Sequence, residues 1–459
     1  MSQSNKVIEK YLRHYAEPNT DLSQILPLQK SRVYRQAVVI PAFNESGAFI
    51  TRLQGLRSNQ LTLFIIVLNG SEDRTEEDLW NTLVPLRHLQ STQKSTLPLQ
   101  ANNKAGLPLY FFQQPTHDFL VLDLISRQPG SQSHYGVGYA RKFGMDCCLW
   151  LYHQRRLFSP FVRNTDADVS WPADYLTSIP EPILSSDKAS ALLYPFQHTA
   201  VQADDTDACE AAALYDCWLR YYVAGLRWAQ SPWAFHTVGS TLVIHLQHYA
   251  IQRGFPKRQA GEDFYLLNKL AKSGDIIQLT KPVLGLSNRS SARTPFGTGK
   301  SISIIKSDSQ ASWRFYHPDI FKQLRYWQQR IATLYSPTTA NNKVGETLPE
   351  LPPFPQEFTP IHSALTALKI DKLLLHGRTH SGNQAAFLRH MNIGFDASTT
   401  RKCVHWLRDH YFPSLTFSYL CEQINAGTIP FIPAPPSRIS SATELSIYMR
   451  QLESNTAVP

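Results

Sequence analysis

Several short polar segments of this 459-residue chain carry residue types that do chemistry. Asp166 and Asp168 form an Asp-x-Asp pair in Arg163-Asn164-Thr165-Asp166-Ala167-Asp168, directly after the apolar pair Phe161-Val162. On a strand end alternate side chains face the same way, so these two carboxylates are expected to approach one point. Oxygen donors placed so suit a hard divalent cation, Mg²⁺ or Mn²⁺, which keeps phosphate and water in its other positions. Glu262 and Asp263 follow Gly261 at the start of a helical run. A carboxylate there can serve as general base, given hydrogen-bond reach and a suitable pKa. Acids are also favoured at a helix start by the dipole alone. Arg141 and Lys142, inside Gly136–Gly144, can pair with phosphate or with an acidic cluster, or can simply be two cations on a solvated helix face. Two more polar segments are Pro41-Ala42-Phe43-Asn44-Glu45 and Asn69-Gly70-Ser71-Glu72-Asp73-Arg74-Thr75.

The elements that must position these residues read as α/β. Ala37–Ile40, stopped at Pro41, and Leu63–Leu68, stopped at Asn69-Gly70, are continuous apolar runs. Strands buried on both faces of a parallel sheet have that texture. Gly47–Leu56 between them reads as a helix, completing strand–helix–strand. Leu109–Phe112 is a further strand candidate, after a polar stretch Gln90–Gly106 that reads as a surface insertion. Val7–Tyr15, Tyr139–Leu157, Cys209–Trp228 and Glu262–Ser273 read as helices, as do residues 361–426. In α/β sheets ligands gather at the carboxyl ends of strands, where the polar segments lie. The expected organisation is a helical extension over 1–32, an α/β domain over 33–305 and a mostly helical region over 306–459. Leu348–Pro360, with five prolines, is its expected linker.

Five pieces in this order, Ala37–Glu45, Leu63–Thr75, Gly136–Gly144, Phe161–Leu176 and Gly261–Phe264, resemble family 2 glycosyltransferases of the GT-A fold, over roughly residues 33–290. The resemblance implies a Rossmann-like mixed, mainly parallel sheet flanked by helices. It implies a metal-dependent, inverting transfer of a sugar from a nucleotide-diphosphate sugar to an acceptor hydroxyl. Asp166 and Asp168 would hold Mg²⁺ or Mn²⁺ on the donor diphosphate, and Asp263, beside Glu262, would be the catalytic base. Pro41, Asn44, Glu45, Asn69, Ser71, Arg141, Lys142 and Asp166 would bind the nucleotide-sugar. The helical C-terminal region would shape the acceptor side or mediate assembly. The chain departs from the family at Asn69, where most relatives carry an acid, which leaves the base open, and at Lys142, which replaces an Asn. Simpler readings stand beside these: Pro41 as a strand stop, Asn44 or Ser46 as a helix cap, and Ser71-x-Asp73-x-Thr75 as a capping turn. Two other functions fit the same residues, a non-catalytic nucleotide-sugar-binding scaffold and a nucleotidyltransferase.

Composition narrows the classes. An apolar share of 42% with 18% charged residues excludes a largely disordered chain. The net charge of +9 divides into +5 over residues 1–300 and +4 over 301–459, without the concentrated patch of a nucleic-acid binder. Peripheral membrane contact stays open. The six cysteines form no CxxC pair, which reads as free thiols in a reducing cytoplasm. No secretory leader is visible, and no apolar stretch reaches the ~18 residues of a membrane span. The expected setting is therefore cytoplasmic. Gly297–Ser301 is no phosphate loop, since position 294 is Thr where Gly is required, though Arg293 and Lys300 remain able to meet a diphosphate. Gly136 and Gly138 lack the third glycine of a dinucleotide site. His376 and His380 stand at i, i+4 without the Glu of a zinc protease, and His245 and His248 read as structural. Tyr326–Arg330 lacks the Gln-x-x-Arg-Trp order of processive polysaccharide synthases, which favours single transfer.

Overall fold

The continuous apolar runs form the centre of a nine-stranded sheet. A computed structural model describes residues 3–18, 20–23, 32–70, 75–92, 99–102, 108–126, 136–199, 205–289, 297–308, 313–335 and 351–456. Its strands are β1 (Gln36–Ala42), β2 (Thr62–Leu68), β3 (Leu99–Asn102), β4 (Pro108–Phe112), β5 (His117–Asp123), β6 (Phe161–Asn164), β7 (Ala189–Leu193), β8 (Phe196–Thr199), β9 (Leu242–His245), β10 (Asp275–Gln278) and β11 (Leu284–Ser287). The main sheet runs β10-β7-β9-β6-β1-β2-β5-β4-β3, while β11 and β8 pair separately. Its middle, β6-β1-β2-β5, is parallel, and β9 and β4 pair antiparallel on either side. The α/β class and the mixed sheet with a parallel core agree with expectation.

Every residue of β1, β2 and β5 is buried, and each aliphatic side chain so enclosed stabilises the fold by about 1.5–3 kcal/mol. The helix Val137–His153 lies on this core. A Cβ at Gly144 would stand 2.5 Å from Val39 Cγ1, so only glycine lets the helix approach that closely. The N-terminal helix Gln3–His14 packs in turn on Val137–His153.

The chain divides into two compact units, one of residues 1–205 with 237–301 and one of 206–236 with 302–456. This corrects the expected division, which kept 206–236 with the sheet. The helix Thr206–Trp228 belongs to the second unit because its apolar face is buried there. A Cβ at Gly225 would lie 2.6 Å from the Phe321 ring, Cys217 Sγ donates to the Ala442 carbonyl at 3.2 Å, and Arg220 pairs with Asp216 and Glu453. Trp327, Leu374, Phe387, Met391 and Leu407 share that core. All six cysteines are free. Among the described residues, no helix is long and apolar enough to cross a membrane.

Candidate active site

The parallel register sets the polar segments side by side. Ala42 is paired with Leu68, the Asn69 N–H donates to the Ala42 carbonyl at 3.1 Å, and the Thr165 N–H to the Val39 carbonyl at 3.1 Å. Pairing of β1 with β6 covers only Ala37–Val39, so Pro41, buried inside β1, lies past its end and its missing N–H leaves the ladder intact.

Asp166 and Asp168 are not on a strand end. β6 stops at Asn164 and the chain turns, with the Val169 N–H donating to the Asp166 carbonyl at 3.3 Å. The expected alternation therefore does not apply, and each aspartate pairs with a different arginine. Arg141 Nη2 donates to Asp166 Oδ1 at 2.6 Å and its Nε to Glu262 Oε1 at 3.0 Å. Arg289 Nη2 donates to Glu45 Oε1 at 2.6 Å and to Asp168 Oδ2 at 3.3 Å. The turn itself is pinned, by Arg52 Nη2 on the Ala167 carbonyl and by Trp171 Nε1 on Thr165 Oγ1, both at 2.9 Å. About a third of each aspartate side chain is exposed, 38% for Asp166 and 35% for Asp168, so both reach solvent.

Asp263 joins the same cluster. Gly261 takes a left-handed φ of +72° and starts the helix Glu262–Leu270. The Phe264 N–H donates to Asp263 Oδ1 at 2.7 Å. In the 3₁₀ turn before β9, a Cβ at Gly239 would sit 2.7 Å from Arg141 Nη2 and 3.4 Å from Asp263 Oδ2, so this glycine adjoins both groups. Burial, and next the charge of Glu262, push the Asp263 carboxyl up to about 7. Glu262 is also raised, by burial working against its ion pair with Arg141. Arg141 is held charged by Asp166, Glu262 and Asp263 in spite of its own burial. Its Nη1 is buried with no hydrogen-bond partner among the described residues. A buried donor left so costs about 1–3 kcal/mol, a penalty that a ligand oxygen would relieve.

Among the described residues the acids fall into two ion-pair groups, Arg141 with Asp166 and Glu262, beside Asp263, and Arg289 with Glu45 and Asp168. Among the described residues, no group of three His, Cys, Asp or Glu is arranged to hold a metal ion unaided. Two carboxylates nevertheless suffice for an ion that takes its other oxygens from phosphates and water. Asp166 and Asp168 are hard oxygen donors of the type such an ion takes, each held here by a different arginine.

The other expected site residues fall out differently. Lys142 is buried away from the cluster, in a network that ties the N-terminal helix down. Its Nζ donates to Tyr11 Oη at 2.7 Å, to the Tyr15 carbonyl at 2.8 Å and to Asp146 Oδ2 at 2.8 Å. Neither Arg141 nor Lys142 is on a solvated face. Asn44 has φ +53° and caps nothing. Its Nδ2 donates to Asp78 Oδ1 at 3.1 Å, and Gly47 precedes the helix Ala48–Gln54. Asn69 is buried beside the end of β1. Thr75 caps the helix Glu76–Thr82 reciprocally with Asp78. Ser71, Asp73 and Arg293 lie outside the described residues. Gly136 and Gly138 serve packing, since a Cβ at Gly138 would lie 2.6 Å from the Pro256 carbonyl. His248 bonds Ser273 Oγ and the Asp187 carbonyl, a structural role.

Gly239–Ile244 reads in sequence as a strand bordering the acceptor side, and Leu242–His245 forms β9 after a 3₁₀ turn at Gly239–Thr241; Arg289, paired with Glu45 and Asp168, is the residue that sequence reasoning missed. Arg289 follows β11, a short strand interrupted by Gly285, and a loop arginine carries no periodic signal. A search against protein-family models matches nothing to this chain, and a search of curated proteins finds no match either.

Proposed function

We propose that this chain is a metal-dependent, inverting glycosyltransferase of the GT-A type, moving a sugar from a nucleotide-diphosphate sugar to an acceptor hydroxyl. The observation that supports the reading is the pair of ion-pair groups flanking the turn after β6, Arg141 with Asp166 and Glu262 and Arg289 with Glu45 and Asp168, with the Asp263 carboxyl raised to about 7 beside the first. Asp166 and Asp168 are the residues that would hold Mg²⁺ or Mn²⁺. When bound, that ion offsets the charge on the diphosphate leaving group. Arg141, fixed between Glu262 and Asp166, offers its unsatisfied Nη1 to a phosphate or sugar oxygen. Asp263 takes the proton of the acceptor hydroxyl as that oxygen attacks the anomeric carbon. The bond from that carbon to the diphosphate oxygen breaks, and its electron pair leaves with the nucleoside diphosphate. Glu262 orients Arg141 and raises the basicity of Asp263. Glu45 and Arg289 border the donor from the β1 side.

Turnover tests this. Incubation with UDP-, GDP- and dTDP-sugars and Mn²⁺ is expected to release the matching nucleoside diphosphate from one class. Asp263→Asn is expected to lower that rate by about 10²–10⁴ with nucleotide affinity retained. Pyrophosphate released from a nucleoside triphosphate would instead mark a nucleotidyltransferase. Binding with no turnover in the wild type would mark a scaffold.

A further inference from the structure

Histidines 376 and 380 gain a third imidazole that the sequence spacing does not show. The helices Ile370–His380 and Gln384–Gly394 form a hairpin joined by Ser381, Gly382 and Asn383. Their approach is close. A Cβ at Gly377 would meet the Phe387 ring and His390 Cδ2 at 3.3 Å, and one at Gly394 would lie 2.2 Å from Leu373 Cδ1. This packing brings His390, from the second helix, against the i, i+4 pair of the first. His376 Nδ1 and His390 Nε2 are 2.9 Å apart, with ring centroids at 4.7 Å. The His376 and His380 rings stack at 4.1 Å. His376 and His380 are exposed and His390 half-buried.

We propose that His376, His380 and His390 form a binding site for a borderline transition-metal ion of the zinc class, clipping the two helices together. Three neutral imidazoles with an open fourth position are a recurrent zinc donor set, and nitrogen donors select Zn²⁺, Ni²⁺ or Cu²⁺ over Mg²⁺. Two nitrogens on one tetrahedral ion, at Zn–N distances of about 2.0–2.1 Å, stand about 3.3 Å apart. The present 2.9 Å is a few tenths of an ångström short of that. Only one proton can sit between His376 Nδ1 and His390 Nε2, and an ion would take its place. His380 Nδ1 is now 2.9 Å from the His376 carbonyl. As the rings stand, no three donors converge, so loading requires the exposed His380 ring to leave the His376 carbonyl and turn.

The test is titration of the full, untagged, chelator-stripped chain with Zn²⁺ alone, by calorimetry and by competition with a chromogenic chelator at pH 7.5. One Zn²⁺ per chain is expected, unaffected by millimolar Mg²⁺, with a rise in melting temperature and no change in mass. Each of His376→Ala, His380→Ala and His390→Ala should weaken binding beyond the ~10–100-fold that outer-shell changes alone produce. The double variant Asp166→Asn/Asp168→Asn should bind as wild type, which separates this site from the proposed donor site. No saturable Zn²⁺ binding, unchanged affinity in any of the three histidine variants, or zinc-driven pairing of chains would overturn the proposal.

Discussion

Asp263 can accept a proton only when ionised. With its carboxyl pushed up to about 7, kcat/KM is expected to climb as pH rises towards 7 and to level above it. The same shift acts on stability with a definite sign. The folded carboxyl lies above its unfolded value near 3.8, so the native state holds the proton more tightly across roughly pH 4 to 7. Ionisation through that window therefore costs the fold stability. Asp263→Asn should be nearly inactive yet melt higher than wild type above pH 7. Parallel pH profiles of rate and melting temperature check both halves. A variant that melts lower at pH 8 would contradict the burial argument. Arg289 makes a second residue-scale case. Removing its charge leaves Glu45 and Asp168 without their shared cation. Arg289→Ala should raise the donor KM by about tenfold, as loss of a charge-assisted contact does. An unchanged donor KM would place Arg289 outside the donor site.

At the scale of elements, glycine positions and one buried network make the sharpest expectations. A Cβ at Gly138 would meet the backbone carbonyls of Pro256 and Arg258 at 2.6 and 2.7 Å. Backbone cannot swing aside as a side chain can, so Gly138→Ala should destabilise by about 1–3 kcal/mol in a denaturant titration. Lys142→Met should cost about 3–5 kcal/mol, since it strands Asp146 in the interior. Where folded, that variant should keep the wild-type donor KM, because Lys142 faces the N-terminal helix. A raised KM with unchanged stability would return Lys142 to the donor site. These two cases show what was legible. β1 and β2 were readable because strands covered on both faces must be apolar throughout. The polar segments after β1, β2 and β6 were readable because parallel topology forces them to one sheet edge. Short strands such as β7 and β10 were not, since Ala189–Leu193 and Asp275–Gln278 resemble ordinary loop or helix residues. Nor was the turn at Asp166–Asp168, because side-chain alternation holds only while backbone pairing continues. Lys142 misled because helical spacing cannot tell a solvated face from one covered by a second helix.

At the scale of the whole chain, residues 206–236 depart into the second unit and the chain returns at 237 to continue the sheet. Such an excursion leaves no composition signal, since Thr206–Trp228 is as apolar as a helix on the sheet would be. Donor recognition, by contrast, is expected to register in the stability of the entire first unit. A ligand bound only by the native state stabilises it by mass action, by about 2.7 kcal/mol at one hundred times its dissociation constant. The most direct test of the central claim is calorimetric titration of the wild type with UDP, GDP and dTDP, with Mn²⁺ and again in chelator. One nucleoside diphosphate should bind with Mn²⁺ present, weaken by about tenfold or more in chelator, and weaken similarly in Asp168→Asn. Equal affinity in chelator, or no binding of any nucleotide with Mn²⁺, would contradict the account.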